Sequence, residues 1–249
     1  MTVQDKSILD VDVGNTRIKW RLLEGESVAL EGVSNHSDNL SDRFRKDLAE
    51  KKIDRVRVAT VVRGDVLADL SEACRALWSV ELEVAEVRQQ CSGVEQGYED
   101  CSRLGVDRWL GVLAAYNKYQ KACLVVSCGT AATLDFVDAD GLHLGGYIVP
   151  GLNLMRQSLF GGTDAVKVDK FVVGDSLEFG RNTDAAVNNG LVLMLSSMIK
   201  QVFERLSLND ENFQLVICGG DGEIISRHLE LQNIYVKSLV LDGLAYALP

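Results

Sequence analysis

Two short stretches carry the residue types that phosphate chemistry needs. Asp12-Val13-Gly14-Asn15-Thr16 sets a carboxylate at the end of an apolar run, then a glycine, then two hydrogen-bonding side chains. In such a turn, backbone amides and hydroxyls can approach phosphate while the carboxylate faces Mg2+. The plainer reading is a β-hairpin whose Asn and Thr serve local backbone groups. Ser127-Cys128-Gly129-Thr130-Ala131 repeats the pattern in the second half of the chain, with serine in the place of Asp12. Two such hairpins can grip both ends of a polyphosphate, which a single one cannot. Cys218-Gly219-Gly220-Asp221-Gly222 closes another apolar run and leaves room for a flat group such as a nucleoside against the backbone. Gly105-Val106-Asp107-Arg108 opens a helical pattern. The helix macrodipole alone favours an acid there, yet Arg108 offers a fork for an anion, and Asp107 can orient a hydroxyl and accept its proton. Tyr98, just upstream in "EQGYED", can wall such a pocket.

The elements that would position these groups come in the same order twice. Residues 7–14 read as a strand burying Ile8, Leu9 and Val11, and 17–25 and 27–34 as two more; a polar helix follows from about Asn39 to Lys51. Then come a strand at 55–62, a helix at 65–78 and a strand at 80–87. After a connecting region and a helix at 105–119, three strands (ACLVVSCG, ATLDFVDADG, LHLGGYIVPG) restart the series. Helices at about 151–160 and 183–206, a strand at 213–220, a helix at 223–230, a strand at 234–239 and a short closing helix complete it. The expectation is an α/β duplication, residues 1–104 and 105–249, each half a mixed five-stranded sheet with flanking helices, and a cleft between the halves for ligand.

A net charge of −10 argues against a nucleic-acid surface, which relies on clustered Lys and Arg. No segment has the apolar length of a membrane span, and the N-terminus lacks the pattern of a secretion signal, so a cytoplasmic protein is expected. The six cysteines form no CxxC pair and fall mostly in apolar runs, which suits buried reduced thiols. His36, His143 and His228 are scattered and suggest no metal site. The chain has no GxxxxGK[ST] loop, no protein-kinase motif set and no GxSxG elbow.

Taken together, Asp12 to Thr16 with Lys19 and Trp20, GVDR at 105–108, Gly129-Thr130-Ala131 with Asp135, GGYIVPGLNLM at 145–155, GRNTDAA at 180–186 and CGGDG at 218–222 resemble the type III pantothenate kinases. That family belongs to the acetate and sugar kinase, heat-shock chaperone and actin superfamily, so the resemblance implies a duplicated ribonuclease H-like, actin-like ATPase fold. It implies phosphorylation of pantothenate by ATP, the first step towards coenzyme A, in a homodimer that uses Mg2+ and a monovalent cation, K+ or NH4+. Carried over by position, Asp12, Val13, Gly14, Asn15, Thr16, Arg17, Ile18 and Lys19 form the first phosphate loop, with Asp12 the Mg2+ anchor, and Thr130 binds ATP from the second. Asp107 is the general base; Tyr98, Gly105, Val106, Asp107, Arg108 and Thr183 hold pantothenate. The family pattern departs at Ser127, where an Asp usually serves as a monovalent-cation ligand, and at Cys218, where Thr is common. Asp135 is the first candidate to supply the missing carboxylate. The competing expectations are a related kinase for a sugar or short acid, and a nucleotide-binding regulatory factor in transcription.

Overall fold

In the computed structural model, residues 6–35, 40–48, 50–62, 64–160, 171–208 and 212–249 are described. The first series is β1 (Ser7–Val13), β2 (Arg17–Glu24), β3 (Ser27–Asn35), α1 (Leu40–Leu48), β4 (Arg55–Thr60), α2 (Asp65–Trp78) and β5 (Leu82–Val84). The short β6 (Gln90–Cys91) and β7 (Val94–Glu95), a single 3-10 turn at Cys101–Arg103 and α3 (Val106–Tyr119) connect it to the second. There β8 (Cys123–Cys128), β9 (Ala131–Val137), β10 (His143–Pro150), α4 (Leu152–Phe160), α5 (Thr183–Ser207), β11 (Gln214–Cys218), α6 (Gly222–His228) and β12 (Ile234–Tyr235) lead to α7 (Leu239–Ala247). The expected helix start at Asn39 lies outside the described residues; α1 ends at Leu48, short of Lys51.

The two five-stranded sheets have the same order, β3-β2-β1-β4-β5 and β10-β9-β8-β11-β12. In each, the first three strands form an antiparallel meander and the last two join in parallel. The expected duplicated α/β architecture is therefore present strand for strand. The chain divides into two compact units, one of Met1–Ser92, Asp100–Ala114 and Val240–Pro249, the other of Gly93–Glu99 and Ala115–Leu239. This differs from a single cut after residue 104: the head of α3 and nearly all of α7 group with the first sheet, and the Tyr98 segment groups with the second.

In the first unit, strand alternation sends Leu9, Val11, Val13, Ile18, Trp20, Leu22, Val56 and Val58 to one face, where Phe44 and Leu48 of α1 and Leu70 and Cys74 of α2 cover them. Trp20 meets Phe44 edge to face, with ring centroids 6.0 Å apart. The opposite face is charged. Asp10 is fully buried and accepts from Arg21 Nε at 3.1 Å, from Arg57 Nε at 2.8 Å and from Arg57 Nη2 at 3.1 Å. Arg21 continues to Asp242 on α7 at 2.5 Å, and Arg57 Nη1 donates to the Leu248 carbonyl. Two carboxylates and two guanidinium groups thus neutralise one another while tying the last helix to the sheet. Ile8, expected in the core, is only half-buried, because it shares this charged face with Asp10.

The second unit is organised on the same plan. Leu124, Val126, Cys128, Ala132, Leu134 and Ile217 face a core closed by Leu191, Val192, Leu195 and Ile199 of the long α5. Asn182 caps that helix, its Oδ1 accepting from the Ala185 amide at 2.8 Å, and so fixes where Thr183 begins it.

Candidate active site

In the first unit, Val13 and Ile18 end the paired part of the hairpin, and the turn between them is Gly14-Asn15-Thr16-Arg17. It is closed by the Gly14 amide donating to the Arg17 carbonyl at 3.1 Å; a Cβ on Gly14 would press that oxygen at 3.2 Å. Asn15, Thr16 and Arg17 are exposed, whereas Val13 and Ile18 are each 1% exposed, their side chains turned into the core. Asp12 pairs in register with Lys19 of β2, on the charged face of the sheet. Burial pushes its carboxyl from 3.8 up to about 6; Lys19 pulls it down, and the nearby Asp107 carboxylate pushes it further up.

Asp107 stands in the first turn of α3, where its Oδ1 accepts from the Arg108 amide at 2.9 Å. Gly105 precedes the helix, and its carbonyl takes the Trp109 amide at 3.0 Å. A side chain at Gly105 would meet Asp107 Oδ1 at 2.7 Å, so the glycine leaves the space that this carboxylate occupies. Val106 is half-buried and Arg108 is buried. Asp12, Lys19 and Asp107 therefore belong to one unit, where the charges of Lys19 and Asp107 both act on Asp12, an acidic pair suited to Mg2+ and to a phosphate carried with it. Among the described residues no group of three or more His, Cys, Asp or Glu could hold a metal ion. Mg2+ does not need one, since it keeps several waters and is held by one or two carboxylates plus phosphates.

In the second unit, Ser127-Cys128-Gly129 repeats the exposure pattern of Asp12-Val13-Gly14: half-buried, buried, half-buried, followed by an exposed residue, Thr130. The Gly129 amide donates to the Ala131 carbonyl at 3.0 Å, so this turn is tighter than the first. Two later segments brace it. The Gly151 amide donates to the Thr130 carbonyl at 2.9 Å, and a Cβ at Gly151 would sit 2.0 Å from the Gly129 oxygen. From the other side the Asp221 amide donates to the Cys128 carbonyl at 3.0 Å, next to Gly219 with φ of 93°. The glycines of the PG and CGGDG stretches are thus what allow three backbones to meet at the second turn.

Ser127 is a neutral group, and Asp135 does not replace the missing carboxylate at that turn. It lies two residues beyond Thr133, the register partner of Ser127, is 2% exposed, and is bonded to His143 Nε2 at 2.9 Å. That bond follows from strand geometry and carries no local sequence signal. Tyr98 is half-buried in this unit, and Thr183 is exposed at the head of α5. The buried ionic group around Asp10 was also missed; its signal is an acid in an apolar strand whose register partners, Arg21 and Arg57, are both basic.

A duplicated α/β fold with a glycine-centred turn in the first hairpin of each half defines the actin-like ATPase class of fold. A chain from Campylobacter jejuni assigned to the Baf family of transcriptional activators matches with a TM-score of 0.57 and 20% identity, covering 95% of both chains. Glucokinase from an Antarctic psychrotroph matches with a TM-score of 0.52 at 13% identity, covering 98% of this chain and 99% of that one. At those identities the likeness establishes the fold alone. The model of the type III pantothenate kinase family matches residues 8–205. Proteins named type III pantothenate kinase from Ectopseudomonas mendocina and Pseudomonas aeruginosa are 38% and 36% identical, each covering 97% of this chain and 99% of the relative. The chain belongs to the type III pantothenate kinase family.

Proposed function

We propose that the chain transfers the γ-phosphoryl group of ATP to the primary hydroxyl of pantothenate, giving 4′-phosphopantothenate on the route to coenzyme A. The observation that carries this reading is the family match over residues 8–205; in keeping with it, the charge of Asp107, at the head of α3, acts on Asp12, at the end of β1. Phosphoryl transfer asks a protein mostly to position reactants and neutralise charge. Asp107 orients the hydroxyl and takes its proton late in the transfer. The main chain of 12–18, with Asn15, Thr16, Arg17 and Lys19, holds ATP phosphates, and Thr130 holds phosphate from the second turn. Asp12 anchors Mg2+, directly or through water; when bound, the ion offsets negative charge on the phosphates. By the family resemblance Tyr98, Gly105, Val106, Arg108 and Thr183 hold the acceptor; the Arg108 guanidinium suits the pantothenate carboxylate.

A neutral Ser127, with Asp135 engaged by His143, does not fit the carboxylate-ligated monovalent-cation site of the family, and no step of the transfer is assigned to K+ or NH4+. The homodimer expected of the family finds support in exposed apolar side chains of the second unit: Leu144 and Ile148 on β10, Leu154 on α4, and Leu193 and Met194 on α5. Among the described residues no helix is long and apolar enough to cross a membrane, in keeping with a cytoplasmic enzyme. The deciding experiment is coupled ADP release with ATP and Mg2+ over a panel of acceptors, namely pantothenate, hexoses and short carboxylic acids. Turnover with pantothenate alone is expected; turnover with only another acceptor, or with none, overturns the reading.

A further inference from the structure

His143 is fully buried, yet its ring is placed with care. It begins β10 opposite Val137, and one residue later the register slips, so that Gly146 faces Asp135. The slip is a β-bulge made possible by Gly145, whose φ of 94° lies in the left-handed region. The bulge turns the His143 ring over Asp135, and Nε2 meets Oδ1 at 2.9 Å. The other ring nitrogen, Nδ1, is buried with no hydrogen-bond partner among the described residues, so Asp135 is the group that sets the orientation of the ring. Tyr98 lies on this imidazole, its ring 14° from parallel and 6.0 Å away between centroids, an offset stack.

The main chain of the segment that carries Tyr98 is held at several points. The Glu95 amide donates to the Gly141 carbonyl at 2.9 Å, and Gln96 Oε1 accepts from the Tyr98 amide at 2.8 Å. Gly97 lies so close to β10 that a Cβ would come within 2.0 Å of the His143 carbonyl oxygen. These contacts place the Tyr98 main chain. The face of its ring lies on the His143 imidazole.

We propose that His143, held by Asp135, is a positioning residue for Tyr98, fixing the ring that walls the pantothenate site and so setting acceptor affinity without entering phosphoryl transfer. The inference rests on the pantothenate reading above. Contacts of this kind support about a three- to tenfold change in affinity. The test is steady-state kinetics of the purified protein with pantothenate and ATP varied separately. His143→Ala is expected to raise KM for pantothenate by about three- to tenfold, with kcat and KM for ATP close to wild type. In a Tyr98→Ala background the same substitution is expected to add nothing, because its effect runs through the lost ring. His143→Gln, whose side-chain amide can still donate to Asp135 but which has no ring, is expected to raise KM for pantothenate by a similar factor, and it supplies the test if His143→Ala does not fold. An unchanged KM in His143→Ala, an unchanged KM in His143→Gln, or an undiminished effect in the Tyr98→Ala background would each overturn the proposal. No wild-type turnover of pantothenate would overturn the functional reading and this inference with it, whereas wild-type turnover beside any of those three results overturns the inference alone.

Discussion

Replacing Asp12 by Asn separates what the first turn does for folding from what it does for catalysis. The Asp12 carboxyl is raised from 3.8 to about 6, first by burial and then by Asp107, against the pull of Lys19. Such a rise corresponds to roughly 3 kcal/mol against the ionised form in the folded state. Asp12 keeps some solvent contact, so about 2 kcal/mol is the working figure. Because the folded value lies above the unfolded one, the penalty is absent below pH 3.8, develops as pH rises through about 6, and is complete above that. Asn keeps the shape without the charge. At pH 7, without metal or nucleotide, Asp12→Asn is therefore expected to be more stable than wild type by about 2 kcal/mol, or about 4–8 °C in Tm for a chain of this size. The gain should shrink towards zero near pH 4. Thermal unfolding of both proteins in EDTA between pH 4 and 8 measures it, and Mg-ATP should raise the Tm of wild type more than that of the variant. A Tm difference that does not change with pH, or a variant less stable than wild type at pH 7, would refute the reasoning.

Other substitutions probe the supports of the site. Arg57→Met leaves Asp10 with only Arg21 in a buried setting and should cost about 3 kcal/mol in urea unfolding. Gly151→Ala forces apart the Gly151 and Gly129 backbones and should raise KM for ATP by roughly tenfold or more, read in the coupled assay. Wild-type turnover should change little when K+ is exchanged for tetramethylammonium, whereas Ser127→Asp should make turnover K+-dependent, as rates in the two salts will tell.

Much of this architecture is readable from local pattern, and the reasons differ from element to element. Strand alternation with glycine turns marks β1, β2 and β8 to within a residue, and the apolar periodicity of 65–78 coincides with α2. Repetition of strand order is visible because each strand carries its own signal. What the pattern hides depends on partners far along the chain. IYVKSL reads as one strand, yet only Ile234–Tyr235 pairs, and Leu239 already begins α7. Asp10 looks like a surface residue of an amphipathic strand until Arg21, Arg57 and α7 converge on it. In the site itself, the turns at Gly14 and Gly129 and the acid at the head of α3 are legible from residue type. The contact of Tyr98 with His143, across 45 residues and dependent on a bulge, is not. Nor is the electrostatic effect of Asp107, at the head of α3, on Asp12 at the end of β1.

The most direct measurement is the kcat of Asp107→Asn for pantothenate with saturating ATP and Mg2+. A fall of roughly 10²- to 10⁴-fold is expected, the span for a positioned general base, with nucleotide affinity unchanged. Turnover near the wild-type rate would remove Asp107 from the chemistry and contradict the mechanism proposed for this site.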